Sequence, residues 1–184
     1  HRCYLPYDTG FAAKKFIEAY KKIYQDTPLN TSLNIETKTG LENIKEIVGY
    51  AAGSIDNITI GRSDLSGSYF EDGLTPDSNF ILRSIESIAP IVHSNKMTLT
   101  VGGKVTQKTI EAINKNFPNL KQLITKLETR KVMFLTNDLI NQKDSVTQAL
   151  RFEELYILSK KEYSDMYIDS EISRLTELSR RTGA

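Results

Sequence analysis

The chain has 184 residues, 24 basic against 23 acidic, a formal net charge of +1 and 39% hydrophobic residues. That length holds one good-sized core and makes two domains a squeeze. The balanced charge, with neither basic block nor basic stripe, argues against nucleic acid or an anionic membrane as a partner.

No apolar run reaches about 18 residues, so no membrane span is expected, and the start lacks the charged-then-apolar design of a signal peptide. Cys3 is the one cysteine, which excludes an internal disulfide and a thiolate metal cage. The plain reading is a cytoplasmic protein. The opening His1-Arg2-Cys3 carries no initiator methionine, pointing to a processed or trimmed piece or to a beginning that lies elsewhere.

In chain order, Cys3-Tyr4-Leu5-Pro6 reads as a short strand. Phe11 to Tyr24 follows with a helical stripe of Ala12, Ala13, Phe16, Ile17, Tyr20, Ile23 and Tyr24. Leu33-Asn34-Ile35 is the next strand. A helix follows with Leu41, Ile44, Ile47, Val48 and Ala51 on one face, ending near Gly53. Asn57 to Ile60 is the third strand, followed by a long loop. Thr75-Pro76-Asp77 then starts a helix carrying Ile81, Ile85, Ile88 and Val92.

Thr98 to Val101 is a fourth strand, closed by Gly102-Gly103. Thr106 caps a helix with Ile110, Ile113 and Phe117, and Pro118 stops it. Leu123 to Leu127 is a fifth strand, with Val132 to Leu135 either its continuation or a separate short extension. From about Asp144 the chain is helical through Leu158, and Ile168, Ile172, Leu175 and Leu178 mark a further, more polar helix. The strand–helix repetition argues for a parallel sheet, either doubly wound or part of a (βα) barrel. A full eight-stranded barrel takes about 250 residues, more than this chain has.

Chemistry concentrates at two strand ends. Ile58-Thr59-Ile60-Gly61 runs into Arg62-Ser63-Asp64-Leu65-Ser66-Gly67-Ser68, a carboxylate in a Gly/Ser-rich loop, and Leu33-Asn34-Ile35 closes on Glu36. Two acidic side chains at the ends of neighbouring strands suggest a hard-metal site in an α/β enzyme. Each also has a plainer reading. Glu36 and Asp64 can cap the next helix, Gly61 and Gly102-Gly103 can serve tight turns, Arg62 can face solvent, and Arg130 can pair with Glu128. His93 near a helix C-terminus suits the dipole, and Cys3 fits as a small buried hydrophobe. No Walker or dinucleotide fingerprint is present to favour a doubly wound domain with a phosphorylated ligand.

The segments Ile35-Glu36-Thr37-Lys38-Thr39-Gly40-Leu41-Glu42-Asn43-Ile44 and Ile60-Gly61-Arg62-Ser63-Asp64-Leu65-Ser66-Gly67-Ser68 resemble the paired signatures of the HpcH/HpaI aldolase and citrate lyase β-chain superfamily. Val101-Gly102-Gly103 is similar to its seventh barrel strand, and Leu127-Glu128-Thr129-Arg130-Lys131-Val132 to the closing strand of one branch. The resemblance implies an incomplete metal-dependent TIM-type barrel, its fourth to eighth strands in residues 1–143, with a helical extension over 144–184.

It further implies a carbon–carbon lyase acting on a 2-keto acid or acyl thioester through a metal-stabilised enolate. Glu36 and Asp64 would be ligands to Mg²⁺ (or Mn²⁺). Gly61, Ser63, Asp64, Gly102 and Gly103 would bind the small anionic substrate, with Arg62 and Arg130 as the cations. The last helix would make a homo-oligomer, since members often exchange it between protomers. The family's first three strands, with their enolate-stabilising arginine, have no counterpart, and Asp8 only loosely matches an acidic position near Pro6. Hence either the gene product is longer, or part of the catalytic apparatus is lost and the chain is a non-catalytic barrel-derived subunit or interaction module.

Overall fold

Alternation in the strands organises the molecule. The computed structural model describes residues 8–24, 30–142 and 144–182. Strands β1 (Ser32–Ile35), β2 (Asn57–Gly61), β3 (Thr98–Gly102) and β4 (Lys126–Glu128) are parallel, and β5 (Met133–Leu135) returns antiparallel to β4. In register across the sheet, Leu33 and Ile35 meet Ile58 and Ile60, which meet Leu99 and Val101, with Leu127 beside Val101. All seven are fully buried in the hydrophobic core. Each such side chain contributes about 1.5–3 kcal/mol by leaving water.

The intervening residues form the opposite face. Ser32, Asn34, Asn57, Thr59 and Thr100 are also buried, yet each is polar. Apart from Asn34, which donates to Glu36, they bond to one another. Asn57 Nδ2 donates to Ser32 Oγ (2.7 Å) and Thr59 Oγ1 (3.0 Å), while Asn57 Oδ1 accepts from Thr98 (2.7 Å) and Thr100 (3.0 Å). Barrel interiors are more often filled by branched apolar residues.

The strands lie in the order β1-β2-β3-β4-β5, so each crossover advances one place in the same direction. A doubly wound sheet would reverse direction part-way. The result is a mixed, mostly parallel sheet flanked by helices, consistent with an incomplete α/β barrel-like arrangement. Among the described residues β1 and β5 do not pair, so the sheet is open.

Helix α1 (Gly10–Ile23) starts with Thr9 accepting from Ala12 N–H and buries Ala13 and Ile17. After β1, the expected single helix is two, α2 (Lys38–Glu42) and α3 (Ile44–Ala51). The break is at Asn43, whose amide donates to the Asp8 carbonyl at 2.8 Å. Gly53, at φ 73°, takes the left-handed turn that ends this stretch.

The loop expected after β2 begins instead with α4 (Arg62–Gly67), and Ser68 N–H closes it onto Asp64 O. Helix α5 (Asn79–Ser94) begins later than Thr75-Pro76 predicts. Those residues form a turn in which Ser78 Oγ accepts from Thr75 N–H and Pro76 O is engaged elsewhere. After β3 comes α6 (Gln107–Asn116), started by Thr106 as expected, with Thr109 Oγ1 accepting from Thr106 N–H at 3.0 Å.

Pro118 both follows α6 and opens α7 (Pro118–Leu123), its missing N–H costing nothing at the first helical position. The expected strand from Leu123 therefore shortens to β4, and Val132–Leu135 is its antiparallel neighbour rather than a continuation. The expected strand at Cys3–Pro6 lies outside the described residues, which hold the other four as parallel strands.

Helix α8 (Thr136–Asn141) leads to α9 (Ser145–Thr182), a single helix where two were expected. At 38 residues it is about 57 Å long. Only Ser145, Val146 and Ala149 are buried in it, and from Leu150 on every described residue except half-buried Glu153 is exposed. Lys131 over the Tyr156 ring, 4.5 Å from its centroid, ties the helix to the β4–β5 turn. No helix among the described residues is long and apolar enough to cross a membrane.

Candidate active-site cleft

The parallel register carries four residues onto one rim. One step beyond the Ile35–Ile60 pair lies Glu36 beside Gly61, Gly61 pairs with Gly102, and one step beyond Val101–Leu127 lies Glu128 beside Gly102. The row Glu36–Gly61–Gly102–Glu128 thus places two carboxylates on either side of two glycines at the carboxyl ends of the strands. Asp64 joins them from the first turn of α4. All five line a cleft of about 910 Å³, together with Asn34, Thr59, Ser63, Gly103, Lys104 and Arg130 among others.

Gly61 is required by this packing. A methyl group there would lie 2.5 Å from Glu36 Oε1 and 2.8 Å from its Cγ. The glutamate thus lies across the glycine. Its Oε1 also accepts from Asn34 Nδ2 at 3.1 Å. Burial raises the Glu36 carboxyl above its ordinary range, and the Asp64 charge, with a smaller push from Glu128, raises it further; the Asn34 hydrogen bond opposes them. The Asp64 charge thus reaches Glu36 on one rim.

The donor set suits a hard cation. Carboxylate oxygens that repel one another are relieved by a positive charge, and Asn34 Oδ1, on a residue 6% exposed, has no hydrogen-bond partner. Among the described residues no group of three or more His, Cys, Asp or Glu side chains converges to hold a metal ion. Mg²⁺ commonly uses only one or two protein carboxylates and keeps its waters, so the pair remains a fit.

Arg62 has a different position from the one its sequence neighbourhood suggests. It is fully buried and absent from the cleft lining. Nε donates to Gly102 O (3.0 Å), Nη1 to Pro76 O (3.2 Å) and Asp77 Oδ1 (2.5 Å), and Nη2 to Gly103 O (2.8 Å) and Thr109 Oγ1 (3.5 Å). All five guanidinium donors are engaged by the protein. Burial lowers its proton affinity and Asp77 restores part of it. Arg62 is therefore a brace joining the ends of β2 and β3 to the turn before α5, which corrects its reading as a cation for substrate. Arg130, by contrast, is exposed and lines the cleft.

The remaining expected residues separate clearly. His93 Nε2 lies 2.6 Å from Leu123 O, away from the cleft. Asp8 accepts from Thr37 Oγ1 at 2.5 Å and helps set the start of α2. Cys3 lies outside the described residues. Glu128, Asn34, Thr59 and Lys104 line the cleft without having been singled out from sequence. For Glu128 a signal existed: Leu127-Glu128-Thr129 repeats the apolar–Glu–Thr ending of Ile35-Glu36-Thr37.

No family model and no curated protein sequence matches the chain. Solved structures do. RipC from Yersinia pestis is similar with a TM-score of 0.52 at 12% identity, over 70% of this chain and 56% of that one. An HpcH/HpaI aldolase/citrate lyase family protein from Burkholderia cenocepacia J2315 gives a TM-score of 0.49 at 11% identity, over 83% of this chain and 65% of that one. The chain spans a little over half to two thirds of the length of these proteins. The similarity to RipC is distant and is one of fold.

Proposed function

We propose that the cleft binds Mg²⁺ (or Mn²⁺) at Glu36 and Asp64, and that the protein is a carbon–carbon lyase or aldolase acting on a 2-keto acid or acyl thioester. The observation that carries this reading is the rim itself. Glu36 from the end of β1 and Asp64 from the first turn of α4 line one cleft, on the side of the sheet where such barrels build their active sites, and the Asp64 charge helps to raise the Glu36 carboxyl.

Cleaving a bond next to a carbonyl develops an enolate, whose charge needs preorganised stabilisation. A bound divalent cation would supply Lewis acidity for the substrate oxygen. The chain's own contributions are separate from that. Glu36 and Asp64 supply the hard oxygens, and Asn34 orients Glu36 through its 3.1 Å hydrogen bond. Gly61 leaves room for the Glu36 side chain that lies across it, and Gly102, Ser63 and Gly103 line the cleft beside it. Arg130 offers a positive charge at the mouth. Arg62 acts through the turns it braces and does not touch substrate.

Asp64→Ala tests the assignment. Calorimetry should register loss of Mg²⁺ binding, and turnover of any retro-aldol substrate should disappear with it. Normal divalent binding in that variant would end the proposal.

A second reading has its own observation. Helix α9 exposes Leu155, Ile157, Tyr163, Tyr167 and Leu175 to solvent among the described residues, as an interaction module would. On either reading we assign the segment from 144 onward to contacts between copies in a homo-oligomer, with residues 1–143 as the barrel portion and a cytoplasmic location. A solution mass equal to one chain would remove the oligomer. A stable oligomer without turnover on a panel of 2-keto acids, with Mg²⁺ supplied, would favour the non-catalytic reading.

A further inference from the structure

The turn after β3 forms part of the cleft lining, with Gly103 packed against the Arg62 and Ser63 backbone. The turn's peptide planes are set by Arg62, which takes the carbonyls of both Gly102 and Gly103. In a trans peptide the carbonyl of one residue and the N–H of the next point in opposite directions, and no cis bond occurs here. With both carbonyls drawn to the buried guanidinium, the N–H groups of Gly103 and Lys104 are turned away from it. Arg62 is outside the cleft lining, whereas Gly103 and Lys104 are part of it. Among the described residues neither N–H donates to another group of the chain.

Both residues are left-handed, Gly103 at φ 84° and Lys104 at φ 51°. For lysine that conformation is costly. Successive amides in such a turn converge into a concavity that favours anions. The Lys104 and Arg130 side chains line the same cleft and add positive charge. The cleft therefore sets two inward amides and two cations among its carboxylates, with Glu128 beside Gly102 and Glu153 also in the lining.

We propose that the Gly103–Lys104 turn is an oxyanion-binding subsite, and that the ligand of this cleft carries a second anionic oxygen group, carboxylate or phosphate, besides the part held near Glu36 and Asp64. The proposal rests on the reading of the cleft as a 2-keto acid or acyl-thioester site and specifies which such ligands it prefers.

Calorimetry on the full chain with Mg²⁺ compares three probes: pyruvate, oxaloacetate, which adds a carboxylate, and 3-phosphohydroxypyruvate, which adds a phosphate. At least one of the two doubly anionic probes should bind about tenfold to a hundredfold tighter than pyruvate, the range set by one or two charge-assisted hydrogen bonds. The probe that shows the gain identifies the anion. Lys104→Gly should cut that advantage severalfold while pyruvate binding stays within about twofold of wild type. Glycine accepts the left-handed conformation freely, so this variant keeps its fold, as a thermal melt verifies. Arg130→Gln should act in the same direction.

Equal affinity for all three probes overturns the subsite and leaves the cleft reading standing. Binding of none of them, with Mg²⁺ present, overturns both. An advantage that persists unchanged in Lys104→Gly and Arg130→Gln together would overturn the role given to these two side chains.

Discussion

The two faces of the sheet are both largely hidden from water but are stabilised by different means. On one, Leu33, Ile35, Ile58, Ile60, Leu99, Val101 and Leu127 need only to be packed. On the other, Ser32, Asn57, Thr59, Thr98 and Thr100 need one another, because a buried polar group without a partner costs more than a hydrogen bond gains. The polar face also leads to the cleft, whose lining includes Asn34 and Thr59. The difference teaches where this chain accommodates a ligand: on the side where geometry, and not hydrocarbon volume, decides what fits.

That contrast can be broken in graded steps. The largest effect on stability should come from the hydrocarbon face: Ile60→Ala should lose about 2–5 kcal/mol in denaturant unfolding, since it removes buried methyl groups and leaves a cavity. On the polar face, Asn57→Leu should lose about 1–3 kcal/mol, because Ser32, Thr59, Thr98 and Thr100 forfeit a shared partner. A loss as large as that of Ile60→Ala would erase the distinction between the faces.

At the rim the sign reverses. The folded state holds the Glu36 proton more tightly than the unfolded chain does. Its contribution to stability is therefore complete below the ordinary carboxylate value and is lost as pH rises through the raised folded value. Glu36→Gln should accordingly melt at a higher temperature than wild type at neutral pH, and the lead should vanish on acidification below that range. Added Mg²⁺ should narrow the lead by stabilising only the wild type. Smallest of all, Tyr163→Ser in exposed α9 should change the unfolding free energy of the isolated chain by less than about 0.5 kcal/mol. A larger shift that grows with protein concentration would reveal a partner packed on the helix.

Much of the strand layout was legible because alternation is local. Ser32-Leu33-Asn34-Ile35 and Asn57-Ile58-Thr59-Ile60 each announce two faces, and the ends at Glu36 and Gly61 follow. What tertiary contacts decide was not legible. Helix α4 reads as a loop because its Gly and Ser residues are poor helix formers, and it forms where Ser66 and Ser68 hydroxyls bond back to Ser63 and Leu65 carbonyls. Pro118 looks like a stop and is equally a start. The burial of Arg62 depends on Pro76, Asp77, Gly102 and Gly103, 14 to 41 residues downstream. No window around Arg62 contains them.

The strand order has a consequence for synthesis. Because β2 docks on β1, β3 on β2 and β4 on β3, every new strand emerging from the ribosome finds its neighbour already made. Each docking closes only a modest loop, the condition under which chains assemble quickly. The sheet can therefore grow vectorially from its amino-terminal side, leaving one advancing edge to be protected from aggregation during translation.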